Sequence, residues 1–275
     1  MEMPEIPKDV IELENKLRVL ALLHRKLMKT AVGLNLLSQK KSEIIKKDPV
    51  IDSIINKIVR KDIEKLKTDI GKVIVYFAIK HPVYEKFFAQ IKGMPPVFAG
   101  ILLGFPPRAS KISSYWYYCG LAPPSSYKRK DFNNLLKQAL YVIGLQFLRV
   151  KNRYSEFYYS WKMEEAEKTK FKNYLTSKKE KIIIEFIIES NSLPVRYTEP
   201  EEINIVLLSR YIISPPKNKM HMHLRAWRKM MKMFIAHYYE KYWETFDIKV
   251  RKPYFVERGL KEYYLPPEEL FDKNE

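Results

Sequence analysis

The chain has 275 residues, of which 46% are hydrophobic, and its 50 Lys and Arg against 32 Asp and Glu give a formal net charge of +18. This apolar content excludes a disordered tail, and eight glycines are too few for a Gly-rich phosphate loop, a propeller or a tightly turned barrel. The single cysteine, Cys119, excludes a disulfide framework and a zinc site built on several thiolates. The composition favours a mainly α-helical fold.

The first 80 residues carry two amphipathic stretches. In residues 8–47 apolar side chains recur at near-heptad spacing, and residues 50–80 repeat the pattern with charges between. Asp48-Pro49 separates the two stretches, and Pro82 marks the next break. The pattern predicts a long helical hairpin or coiled coil over residues 1–80. We expect it to form a homodimer through residues 8–80.

Residues 81–246 are predicted to form a helical domain, followed by a loop-rich tail at 247–275. A turn at 92–96 with the outline of a helix-hairpin-helix precedes its first apolar helix. The run 181–188 (KIIIEFII) is ambiguous, because its β-branched content suits a small β element while its length suits either state. The helices are predicted at 97–104, 111–119, 132–150, 154–175, 199–213 and 221–246.

The positive charge indicates a polyanionic partner, and nucleic acid is the commonest one inside a cell. An anionic membrane surface would require a basic amphipathic helix with an exposed apolar face, and a thermophile's surface would explain many charges but not their imbalance. The longest uncharged apolar run, Val97 to Phe105, is too short to span a bilayer, and the N-terminal MEMPEIPKDV is unlike a signal peptide. We therefore expect a cytoplasmic protein with no membrane partner.

Two basic stretches and the hairpin turn are the candidate nucleic-acid-binding segments. Both stretches are interleaved with aromatic residues, whose rings can stack on unpaired bases. Asp131 is the only acid between Tyr127 and Arg153, and none lies between Pro216 and Met233. The candidate residues are Lys92 and Gly93 in the turn, Lys128, Arg129, Lys130, Lys137, Arg149, Lys151 and Arg153 in the first stretch, and Lys217, Lys219, Arg225, Arg228, Lys229 and Lys232 in the second.

Candidates for catalysis or metal binding are few. Ser125 and Ser126 lie in a Pro-led loop followed by lysines, where a cationic phosphate clamp is available but no base is near in sequence. His221 and His223 are spaced i,i+2 and point to different sides of a helix, so no metal site is predicted.

The order of segments resembles the C-terminal domain of the DEDD transposases and Piv-type DNA invertases. The resemblance is carried by Gln90–Gly104 (QIKGMPPVFAGILLG), by Tyr115–Pro123 (YWYYCGLAP), and by a basic loop followed by Asn133–Leu140 (NNLLKQAL). The stretch Ala226–Phe234 is similar to that domain's closing helices, and residues 8–80 are similar to its coiled-coil dimerisation linker. The resemblance implies that residues 176–217 are an insertion and that Ser125 or Ser126 matches the nucleophilic serine.

The chain departs from that family because it has no RuvC-like nuclease domain, whose four carboxylates hold two metal ions. Tyr127 also stands where the family has glycine. The leading hypothesis is a nucleic-acid-binding protein, with DNA favoured over RNA, that is no enzyme on its own and needs no cofactor. One alternative is a serine-dependent recombinase subunit, with Mg²⁺ present only in a separate nuclease partner. The other is a viral or plasmid DNA-coating protein.

Overall fold

The computed structural model describes residues 6–39, 57–122, 132–177 and 219–248, together with Val50, Ser53 and Pro267. Over these residues the chain is mainly α-helical and has no strand, which confirms the predicted fold class. A π-helical segment, Lys57–Ile63, and a 3-10 turn, Phe88–Gln90, flank the α-helices. The α-helices are α1 (Lys8–Gln39), α2 (Glu64–Ala78), α3 (Pro82–Lys86), α4 (Pro96–Leu103), α5 (Ile112–Tyr118), α6 (Asn134–Val150), α7 (Arg153–Ser177) and α8 (Lys219–Glu244).

The helices predicted between 97 and 175 and over 221–246 are confirmed within a few residues of their expected ends. Pro82 begins α3, with His81 as its N-cap, so the break expected there is also confirmed. The break at Asp48-Pro49, the ambiguous run 181–188, the helix predicted at 199–213 and nearly all of the tail lie outside the described residues. No helix of the described part combines the length and apolar character needed to cross a membrane.

The described residues form two compact units. One contains the residues up to Asn152 and those from Lys232 onward, and the other contains Arg153 to Met231. In the first unit α1 and α2 pack against each other, and α4 packs against both. Gly100 permits the close approach of α4 to α2, because a Cβ there would lie 2.4 Å from Cγ2 of Ile74. The N-terminal helical pair thus shares a core with the helices that follow it.

Aromatic side chains from α8 fill the centre of the first unit. Phe234 and Tyr238 are fully buried and contact the rings of Phe87 and Phe88, with a Phe88–Tyr238 centroid distance of 4.9 Å. Burial of each such ring contributes about 2–3 kcal/mol, so these aromatic side chains supply a large part of the stability of the first unit. The side chains of α6 that its periodicity predicts to face inward are all buried: Leu135, Leu136, Ala139, Leu140, Ile143 and Phe147.

The second unit pairs α7 with the first part of α8. The Tyr158 hydroxyl lies 2.7 Å from Nδ1 of His223, and Arg225 forms an ion pair with the buried carboxylate of Glu165 at 3.1 Å. Polar contacts thus join helices that are far apart in the sequence.

Candidate nucleic-acid interface

The hairpin turn before α4 is a tight turn built around Gly93. The amide of Met94 donates to the carbonyl of Ile91 at 3.0 Å, and Gly93 has a φ of +79°, which the third position of such a turn requires. Pro95 and Pro96 have no amide hydrogen, and the amides of Phe98 and Ala99 donate to the carbonyl of Pro95. The turn therefore offers the exposed side chain of Lys92, while the start of α4 satisfies these amides internally.

The turn packs directly on the end of α6. A Cβ at Gly93 would lie 2.4 Å from Cγ2 of Val150, so the two backbones meet only because Gly93 has no side chain. The Asn152 side-chain amide donates to the carbonyl of Lys92 at 3.0 Å. Lys151 caps α6 in the left-handed conformation, with a φ of 51°. The turn of Lys92 is thereby brought against the end of α6, which carries the predicted binding residues Arg149 and Lys151 more than 50 positions later. We call Lys92, Arg149 and Lys151 the basic corner.

The basic corner has no acidic counterpart in the described ranges. All three side chains are exposed, and none forms an ion pair there. Lys137, elsewhere on α6, is also exposed and lies 4.7 Å from the centroid of Phe132. Arg153 belongs to the second unit and pairs with Glu156 at 3.0 Å.

The second basic stretch is divided between paired and exposed cations. Arg225 pairs with Glu165, and Lys229 lies 3.4 Å from Glu164 and 3.5 Å from Glu165. These acids lie on α7, some 60 positions earlier in the chain. Lys219 and Arg228 are exposed and have no acidic partner in the described part. Lys232, in the first unit, lies 5.2 Å from the ring of Trp116.

The remaining predicted site residues lie outside the described part of the chain. This applies to both candidate catalytic serines, so their catalytic role stays a prediction. The residues concerned are Ser125, Ser126, Lys128, Arg129, Lys130 and Lys217.

The two histidines of the second basic stretch contact different side chains, Arg225 and Tyr158, and do not form a shared metal site. Arg225 donates from Nε to Nε2 of His221 at 3.2 Å, and His223 contacts the Tyr158 hydroxyl. Burial, with a smaller contribution from Lys162, lowers the pKa of His223. Across the described residues no group of three His, Cys, Asp or Glu side chains is placed to hold a metal ion. Burial raises the pKa of the Cys119 thiol, which therefore stays protonated.

A buried charged cluster that the sequence interpretation missed lies inside the first unit. Glu14, only 1% exposed, pairs with Arg108 and accepts a hydrogen bond from the Tyr242 hydroxyl at 2.6 Å. Nδ1 of His81 accepts from the amide of Val83, so the ring proton lies on Nε2, which is 3.6 Å from Glu14 Oε1. The sequence signal for this cluster was the spacing of Glu14, which shares one face of α1 with the buried Val10, Leu17 and Ala21.

Charges within this cluster bias its protonation. Burial raises the pKa of Tyr242, and the Glu14 carboxylate raises it further. Burial opposes the charge of Arg108, but Glu14 and Tyr242 outweigh it, so the pKa of Arg108 is raised overall. Tyr242 thus stays a neutral donor and Arg108 stays a cation, which is the arrangement that a buried carboxylate needs.

Comparison of the chain with family models, with curated proteins and with solved structures finds no match.

Proposed function

We propose that the protein binds nucleic acid, duplex DNA in preference to RNA, and that the basic corner contacts phosphates. The observation that supports this most is the contact between Gly93 and Val150, which brings the turn of Lys92 against the end of α6, where Arg149 and Lys151 are also exposed and, like Lys92, form no ion pair with the described residues. Exposed cations that form no ion pair within the protein can contact DNA phosphates. Each such contact releases counterions from the DNA, and this release drives most non-specific DNA binding. A relationship to the C-terminal part of an insertion-sequence transposase and an intracellular location belong to the same proposal.

The proposal includes a homodimer that forms through residues 8–80. Apolar side chains remain exposed on both helices of the N-terminal pair, among them Val19 (65%) on α1 and Val73 (41%) and Tyr76 (52%) on α2. Such a stripe on an otherwise charged helical pair favours burial against a second copy. A dimer would present two basic corners and make the salt dependence of binding steeper.

A salt-titrated mobility shift on duplex DNA, with single-stranded RNA in parallel, tests the proposal. The variant Lys92→Ala/Arg149→Ala/Lys151→Ala should bind much more weakly. Its log–log salt slope should be shallower by about 0.9 for each lost contact, or about 3 per chain. The matched control is Lys26→Ala/Lys61→Ala/Lys65→Ala, which removes the same charge from exposed positions on α1 and near the start of α2.

Equal weakening of both triple variants would show that total charge, rather than the basic corner, governs binding. A flat slope for the wild type would contradict nucleic-acid binding altogether. Footprinting then separates recognition of one sequence from the DNA-coating alternative, which predicts protection along the whole length. The serine-dependent alternative predicts a covalent protein–DNA band that is lost in Ser125→Ala/Ser126→Ala.

A further inference from the structure

A cleft of about 340 Å³ lies in the first unit, beside the loop of residues 104–109. Its walls include Arg18 of α1, Phe105 and Arg108 of the loop, and Tyr115 and Tyr118 of α5. The volume falls within the range of small-ligand sites. Arg108 pairs with Glu14 through one terminal nitrogen, and Arg18 belongs neither to the basic corner nor to the buried cluster.

Five of the six carbonyl oxygens of the loop accept hydrogen bonds from donors of the protein. Nε of Arg18 donates to Gly104 at 2.9 Å, and the amide of Arg108 donates to Pro106 at 2.9 Å. Other carbonyls accept from aromatic side chains: Phe105 from Tyr115 at 2.8 Å, Pro107 from Trp243 at 3.0 Å, and Ala109 from Tyr239 at 3.0 Å. The loop is thus held rigidly, and these acceptors are satisfied.

The two arginines at the cleft have more N–H donors than the loop carbonyls and Glu14 accept from. Nε of Arg108 is buried and one terminal nitrogen pairs with Glu14, so the other terminal nitrogen is the donor that Arg108 can offer at the cleft. Arg18 uses Nε on the loop, and its terminal nitrogens form no bond to the described part of the chain. Since Glu14 compensates Arg108, Arg18 leaves the cleft with a net positive charge. Such a donor-rich site suits an anion that accepts from two guanidinium groups.

An aromatic surface adjoins these donors. Tyr118 is 38% exposed, and its hydroxyl accepts from the Asn133 side-chain amide at 3.0 Å, which fixes the ring. The guanidinium carbon of Arg18 lies 5.5 Å from the centroid of Phe105. Fixed aromatic rings beside cationic donors are the elements that bind a base and its phosphate.

We propose that this cleft binds a nucleoside phosphate, with the phosphate on Arg18 and Arg108 and the base stacked on Tyr118. The nucleotide is either free or the end of a nucleic-acid strand. If the ligand is the end of a nucleic-acid strand, the inference rests on the proposed function. If the ligand is a free nucleotide, the inference is independent of that function. The site is separate from the basic corner because it uses neither Lys92 nor α6's last turn.

Isothermal titration of the full chain with adenosine 5′-monophosphate, adenosine and inorganic phosphate tests the site. The monophosphate should bind at least tenfold more tightly than either part alone. Competition by 5′-phosphorylated against 5′-hydroxyl oligonucleotides identifies the source, since a strand end predicts that only the phosphorylated form displaces the nucleotide. Absence of monophosphate binding overturns the inference, and an intact mobility shift in the same sample shows that the proposed function survives.

Variants on the same surfaces locate the binding. Arg18→Gln should weaken monophosphate binding at least tenfold, while Arg25→Gln on the same helix should change it less than twofold. Tyr118→Leu should weaken it about tenfold through lost stacking, and Tyr118→Phe should retain it. Circular dichroism verifies that each variant is folded. If Arg18→Gln, once folded, binds like the wild type, or if phosphate alone binds as tightly as the monophosphate, the proposed site is wrong.

Discussion

Some candidate binding cations of the second unit are paired with acids, whereas the three of the basic corner, in the first unit, form no ion pair with the described residues. In the second unit, Arg225 and Lys229 face Glu165 and Glu164 of another helix. In the first unit, Lys92, Arg149 and Lys151 are exposed and form no ion pair in the described ranges. A cation that is already paired with an acid of the protein is less available to neutralise a phosphate, so it releases few of the counterions bound to a nucleic acid. A run of basic residues without acids in the sequence therefore does not by itself identify binding residues, because acids of a distant helix can pair with them.

Loss of the buried carboxylate of Glu14 is expected to lower the free energy of unfolding most. In Glu14→Gln, Arg108 loses its carboxylate inside the first unit, and we expect a loss of about 3 kcal/mol in the free energy of unfolding. Urea unfolding measures it. Glu12→Gln, which breaks the exposed Glu12–Lys16 pair on the same helix, should cost less than about 0.5 kcal/mol. Equal costs for the two variants would show that the buried cluster contributes nothing particular to stability.

A second prediction breaks the joint that forms the basic corner. Gly93→Ala places a methyl group against Val150 in a backbone conformation with positive φ, so we expect a loss of about 2 kcal/mol and weaker DNA binding. Gly33→Ala is the matched control. Its Cβ meets nothing within 4 Å inside α1, so it should stabilise the chain by up to about 1 kcal/mol. Thermal unfolding and the mobility shift check both, and similar behaviour of the two variants would contradict a tight joint.

The helices were predictable from the sequence because their signals are local. The inward side chains of α6, such as Leu140 and Phe147, follow from the helical period, and the break expected at Pro82 lies where α3 begins. The charged cluster was not predictable, since Glu14 and Tyr242 are 228 positions apart. No periodicity specifies which distant donor meets a buried carboxylate. The basic corner was half predicted: its residues were named, but their meeting depends on the Gly93–Val150 contact.

A third prediction tests whether pairing restrains the cations of the second unit. Glu165→Gln removes the buried carboxylate shared by Arg225 and Lys229, so we expect a loss of about 1 kcal/mol in stability. The freed cations should also steepen the salt slope of DNA binding, by about 1 at most. Asp69→Asn, which breaks the exposed Asp69–Lys72 pair outside the candidate binding residues, should change neither quantity. A salt slope that stays constant in Glu165→Gln would mean that these cations do not reach nucleic acid even when released.

The smallest effect concerns the pH dependence of the second unit. Burial and Lys162 lower the pKa of His223 in the folded state, so the unfolded chain binds this proton more tightly. The stabilisation is fully present above the ordinary histidine pKa, near about 6.5. It is lost as pH falls from there through the lowered folded value. In the protonated ring Nδ1 is a donor, so the Tyr158 hydroxyl at 2.7 Å must then accept from it.

The difference in unfolding free energy between wild type and His223→Gln isolates this group from His24, whose pKa is also lowered, by burial and then by Lys67. We expect the wild type to lose stability relative to the variant as pH falls from about 8 to about 5. Urea unfolding at several pH values measures it. A constant difference would mean that His223 titrates alike in the folded and unfolded chain. A narrowing difference would show that α7 and α8 are held together in part by a neutral histidine, so that their pairing weakens with acid while the basic corner keeps its charge.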